Sequence, residues 1–178
     1  MSIPEVESRS RLLGFLEQNA VGSVVGYSRY GAASYVTDNT TSTSMAYIED
    51  GSSNKHSVTF KAPSTGNVEI AATITADPST DDTAVFALSD NGSVWATYTP
   101  IGALSSTYIA IQRAANGNYV LQTIYWTLPG LTPGISYTFY LGFANGAVGQ
   151  SINVYWGGTT SDLIMKATVL PATIGTYP

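Results

Sequence analysis

The amino-acid sequence predicts an all-β chain, a single sandwich of antiparallel strands behind an N-terminal arm. Three observations carry that expectation. From about residue 45 onward, apolar residues recur at every second position, the period of a strand with one buried face. Gly, Pro and Asn-Gly pairs punctuate the chain at short intervals. Charge is scarce: charged residues are 11% of the chain, less than half of the roughly 25% usual in soluble domains. Ser and Thr, about a quarter of the residues, stand in their place. Hydrophobic residues at 44% exclude the composition of a disordered segment.

Taken in order, residues 1–25 are the one stretch where a helix is expected. Leu12, Leu13, Phe15 and Leu16 cluster there among Glu5, Glu7, Arg9, Arg11 and Glu17. Leu12 and Leu16 form an i,i+4 pair, while Gly14 weakens the helix. A short helix or ordered arm that docks on another surface is one reading, a frayed terminus the other. Residues 36–44 read as a polar connector, so residues 1–43 form the arm and linker and 44–178 the sandwich domain.

Strands are expected over 57–62, 67–75, 84–89, 93–99, 107–113, 118–128, 135–143, 151–156 and 163–170. The 67–75 run is the clearest: Val68, Ile70, Ala72 and Ile74 face one way, Glu69, Ala71, Thr73 and Thr75 the other. Asn91-Gly92 and Asn116-Gly117 supply the positive φ angles of two-residue hairpins, and Asn145-Gly146 marks a further turn. Residues 63–66 and 131–134 are loops by their Pro and Gly. Eight or nine short strands in one domain of this length point to a jelly-roll or immunoglobulin-like topology.

Net charge is −5, and the seven Lys and Arg residues are scattered, so no nucleic-acid or membrane partner is expected. The chain has no cysteine, which removes disulfide frameworks and thiol chemistry. Met1–Ser8 lacks the basic and apolar regions of a signal peptide, and none is expected. Between Gly92 and Pro178 the charged residues are Arg113, Asp162 and Lys166. A surface so poor in charge and so rich in Tyr and Trp predicts a homo-oligomer.

Chemistry-bearing motifs are sparse. His56 is the sole histidine and lies at the start of an expected strand, where an edge or surface position is expected rather than a catalytic role. Asp77, Asp81 and Asp82 lack the spacing of a calcium loop and read as a solvated turn. Glu49 and Asp50 are adjacent, so on a strand they would point to opposite faces and could not flank one glycosidic bond. Gly157-Gly158-Thr159-Thr160 has no lysine and precedes no helix, which excludes a phosphate loop. The sequons at Asn39 and Asn91 are read as chance. Trp95, Trp126 and Trp156, with twelve tyrosines, are expected mainly in the core, with a sugar-stacking platform as the alternative. No catalytic residue, cofactor or metal site is expected, and the chain is not expected to be an enzyme; a polysaccharide depolymerase ranks last among the readings.

Two stretches carry resemblances. Gly130–Phe139 resembles the tyrosine-corner segment of fibronectin type III domains, with Leu131, Pro133 and Tyr137 at the recurring positions. That resemblance implies a structural tyrosine whose hydroxyl pins the turn to the following strand. His56–Ile70, Ala87–Asn91, the Gly-Leu-Thr-Pro-Gly segment and Tyr140–Phe143 together resemble β-sandwich modules in structural proteins of tailed bacteriophages, particularly marine and cyanobacterial phages. Ile164–Pro171 is similar to the last strand of such modules. The resemblance implies a virion structural protein made in the host cytoplasm, often a homotrimer. A short arm before one body fits a capsid decoration or cement protein on the head surface, bound to the major capsid protein or another virion protein through Leu12, Leu13, Phe15 and Leu16. A short tail or head fibre binding a host receptor or carbohydrate is the alternative.

Overall fold

The computed structural model describes residues 20–32, 36–78, 83–99, 108–112, 119–146, 151–158 and 160–174. These residues form eleven antiparallel strands and no helix. In chain order they are β1 (Val24–Tyr30), β2 (Val36–Thr40), β3 (Ala46–Tyr47), β4 (Ser57–Lys61), β5 (Val68–Pro78), β6 (Thr83–Ser89), β7 (Ile109–Gln112), β8 (Val120–Leu128), β9 (Ser136–Asn145), β10 (Ile152–Trp156) and β11 (Leu163–Val169). They make a six-stranded and a five-stranded sheet, and the inner faces of both contribute to one apolar core. The architecture is sandwich-like.

Alternation drives the arrangement. Val68, Ile70, Ala72, Ile74 and Ala76 of β5 are fully buried, and so are Leu163, Met165, Ala167 and Val169 of β11. From the smaller sheet, Phe139, Leu141 and Phe143 of β9 and Phe86 and Leu88 of β6 meet them. Each of the Val, Leu, Ile, Phe and Met side chains stabilises the fold by roughly 1.5–3 kcal/mol through burial, and each alanine by less.

Two long strands organise the sheets. One edge of β5 pairs with β8 along its length, from Val68↔Leu128 to Ala76↔Val120. The other edge is shared: β11 pairs with its first half and β10 with its second. In the smaller sheet β9 likewise gives one edge to β6 and divides the other between β4 and β3. β1 pairs with β11 and β2 with β10, so β1 and β2 lie end to end beside an equally divided neighbour.

This corrects the expected domain boundary. Residues 1–43 were assigned to the arm and linker, yet Val24–Tyr30 and Val36–Thr40 are hydrogen-bonded strands of the larger sheet. The reason is local. The inward positions of β1 are Gly26, Ser28 and Tyr30, and Asp38 and Thr40 of β2 face the same way, so neither strand shows an apolar alternation. Gly26 is required because a Cβ there would lie 2.8 Å from the Thr59 carbonyl oxygen and 2.9 Å from Phe60 Cβ. Ser28 Oγ donates to Ser57 O at 2.6 Å. The Tyr30 hydroxyl donates to the same oxygen at 2.8 Å and accepts the Ser57 N–H at 2.7 Å. Side-chain hydroxyls thus join β1 to β4 where no backbone ladder does.

A second correction concerns residues 93–99, expected as a strand after a hairpin at Asn91-Gly92. They form an irregular segment across the outside of the smaller sheet. Asn91 Oδ1 accepts the N–H groups of Ser93 and Val94, and Ser89 Oγ accepts those of Asn91 and Ala96. These local bonds compete with a ladder. The other expected strands correspond to β4 to β11, with ends displaced by up to three residues.

Three segments meet at Asn67, which is 6% exposed. Its Nδ2 donates to Pro171 O at 2.8 Å and Ala172 O at 3.1 Å, and its Oδ1 accepts the Gly130 N–H at 3.2 Å. Asn67→Ala strands these partners and should cost about 2 kcal/mol. In urea unfolding it should lower the midpoint with an unchanged slope; an unaltered midpoint would show the bonds to be dispensable.

Candidate functional site

The sequence-selected residues separate into three places. Leu12, Leu13, Phe15 and Leu16 lie outside the described residues, as do Asp81 and Asp82. Leu131 is 5% exposed and packs in the core, and its N–H donates to Gly66 O at 2.8 Å. Pro133 lies in the turn before β9, and Gly134 follows at φ 81° with its N–H on Ala62 O. The Tyr137 hydroxyl accepts the Thr132 N–H at 3.1 Å, while its ring stacks on Phe139 at 6.2 Å.

Glu49 and Asp50 flank a tight turn. Asp50 accepts the N–H groups of Ser52 and Asn54 and the Asn54 side-chain amide, which hold its pKa below the ordinary carboxylate value. Its work is turn closure. Asp38 receives the Glu49 N–H at 2.8 Å, but burial dominates and pushes its pKa up. Among the described residues no three His, Cys, Asp or Glu side chains cluster as metal ligands do.

His56 departs from its expected surface position: it is 1% exposed. It precedes β4 and fills the space between the last inward residues of β1 and β10. The Tyr30 ring stands perpendicular to it at 4.1 Å and the Trp156 ring at 4.4 Å. Neither imidazole nitrogen has a hydrogen-bond partner among the described residues. Burial therefore lowers its pKa to about 4. Attraction to Asp50 opposes this shift without cancelling it, and among the described residues the ring contacts of His56 are aromatic. One aromatic neighbour, Tyr30, comes from β1, which local pattern does not reveal, and the other, Trp156, lies a hundred residues further on in β10, so the sequence placed His56 outside.

The outer face of the larger sheet is a broad surface. β8, β5, β11 with β10, and β1 with β2 lie across it in order. Tyr125 and Leu121 of β8, Tyr27 of β1 and the adjacent Tyr119 are each more than half exposed. Tyr119 stands perpendicular to Tyr155 at 4.9 Å, and Thr73 and Thr123 share a 2.9 Å hydrogen bond across the β5–β8 pair. Charges of both signs nearly cancel there: Glu69 and Asp77 on β5, Lys166 on β11, and the Arg29–Asp162 ion pair at the β1 border. The free edge of β8 carries no strand among the described residues. It contains no Lys, no Pro and no register break, the devices that normally blunt an open edge.

No protein-family model matches the chain, and no curated protein matches it.

The buried histidine makes stability depend on pH. Its folded pKa lies below the ordinary 6.5, so between about pH 6.5 and 4 the unfolded chain binds a proton that the folded chain refuses. The stability present above pH 6.5 is lost as pH falls towards 4, by about 3 kcal/mol. Urea unfolding of the wild type and His56→Phe between about pH 7 and pH 4.5 should show a steeper acid loss in the wild type; parallel profiles would refute the assignment.

Proposed function

We propose that this chain is a non-catalytic structural module that works by self-association, and that it serves as a virion structural protein of a tailed bacteriophage. The observation that carries self-association is the nearly neutral, tyrosine- and threonine-rich face of the larger sheet, continuous with the open edge of β8. The virion assignment rests on the sequence resemblance over the sandwich.

Size and charge favour a second copy as the occupant. The face is four strands wide and as long as the eleven residues of β5. Strand spacing makes that about 600 Å² of flat surface, against about 800 Å² per partner in a standard interface. Near neutrality gives no attraction for a strongly charged partner, whereas two tyrosine-rich faces can bury each other at small desolvation cost. We read the two sheets as one sandwich of jelly-roll or immunoglobulin-like type, the oligomer as a trimer, and the role as capsid decoration. Leu12, Leu13, Phe15 and Leu16 then contact the shell or a neighbouring subunit.

Purified protein at micromolar concentration should run as a homo-oligomer by light scattering, and the double variant Leu121→Lys/Tyr125→Lys as a folded monomer. A monomeric wild type would refute self-association.

Quantitative mass spectrometry of purified particles should find this chain at about the copy number of the major shell protein. A few copies would favour the fibre, and absence would remove the virion reading. Because β1 begins at Val24, the deletion that tests the arm is residues 1–19: the truncated protein should remain folded and lose particle binding.

A further inference from the structure

The outside of the smaller sheet carries an arrangement that neither the core nor self-association explains. After β6 the chain turns back over this face, and the turn is anchored from below. The Tyr47 hydroxyl donates to Asn91 O at 2.5 Å, and Lys55 Nζ donates to Gly92 O at 2.6 Å while lying 3.9 Å from the centre of the Tyr47 ring. The Tyr98 N–H returns to Leu88 O at 2.7 Å. This anchored segment holds Trp95.

The indole is fixed on three sides. Its Nε1 donates to Thr97 Oγ1 at 2.9 Å. The Tyr47 ring stands at 5.1 Å and 70° to it. Its six-membered ring lies over Gly142 in the middle of β9, where an added Cβ would be 2.2 Å from it. Glycine inside a strand weakens the strand, and here it admits a ring. That ring belongs to no core: Trp126 and Trp156 are 1% and 3% exposed and join the apolar cluster, whereas Trp95 does not.

Beside Trp95 lies a groove of about 600 Å³, within the usual range for small-ligand sites. Val85 and Ala144 line it with small apolar side chains. Thr43, Ser44 and Thr97 add hydroxyl groups and Tyr108 a phenol, while Asn145 is buried in the wall. None of the described lining residues is charged. A phosphate, carboxylate or ammonium ligand would find no counter-charge there. An aromatic face among hydroxyl groups matches a molecule with one C–H face and a rim of hydroxyls.

We propose that this groove binds a neutral saccharide, with a pyranose ring stacked on Trp95 and its hydroxyls bonded to the surrounding hydroxyl groups. The inference goes beyond self-association and does not rest on it, because the groove and the tyrosine face belong to different sheets.

Tryptophan fluorescence tests it directly, since Trp95 is the partly exposed tryptophan and the other two are buried. The full chain is titrated with neutral trisaccharides of glucose, galactose, mannose and N-acetylglucosamine. At least one should produce a saturable change in emission. In Thr97→Val, which frees the indole nitrogen, affinity should fall several-fold. Trp95→Ala removes the reporter, so calorimetry with the same trisaccharide should show at least a tenfold loss while the urea midpoint confirms folding. A calorimetric signal that persists in Trp95→Ala overturns the proposal, and so does the absence of a saturable response to all four sugars. A response to an aromatic peptide without one to any sugar also overturns it. The readout is the same in a monomer or an oligomer, so its failure is distinguishable from failure of self-association.

Discussion

The fold depends on the way β5 shares one of its edges. An eleven-residue strand faces two shorter strands in line, β11 and then β10, and the chain must leave the sheet between them and return. The adjacent line, β1 and β2, breaks at the same level. The two excursions are bonded to each other: the Gly158 N–H donates to Ala32 O at 2.9 Å. Gly157 adopts φ 75° with its Cα so close to Ala32 that a Cβ would lie 2.7 Å from the Ala32 nitrogen. A glycine is needed there for both reasons. On the inner side of the same break sits His56, between Tyr30 and Trp156. The buried imidazole is therefore a consequence of sheet geometry rather than of any chemistry it performs.

The two sheet exteriors are built differently. On the larger sheet the side chains stand up from regular strands, which gives a broad and nearly neutral surface of Tyr and Thr. On the smaller sheet a loop folds down over the strands, which gives a local groove with a fixed indole. Breadth suits another protein surface, whereas a confined groove suits a small molecule. Hydroxyl groups are prominent in both places, in keeping with a chain rich in Ser and Thr.

Local pattern revealed β4, β5, β6 and β8 to β11 because each buries apolar residues at every second position. It missed β1 and β2 because most of their inward side chains, Gly26, Ser28, Asp38 and Thr40, are small or polar, and only Tyr30 and Val36 pack on the core. It misread residues 93–99 because Ser89 and Asn91 satisfy the backbone of that segment from the side, which no periodicity reports. Sequence pattern favoured the core for most of the aromatic residues without separating the three tryptophans, of which Trp126 and Trp156 are buried. Trp95 shares their strand-like context, and only the loop over Gly142 sets it apart.

The sequence by itself determined that this protein is all-β, where its apolar strands run and which of their faces turns inward, since a period of two is a property of each strand alone. The tertiary structure decided which strands share an edge, that His56 is enclosed and that Trp95 is displayed. Those outcomes come from contacts between residues far apart in the chain: Tyr30 with Ser57, Ala32 with Gly158, Trp95 with Gly142. A local pattern carries no record of such partners, because pairing and register are set by the whole sheet.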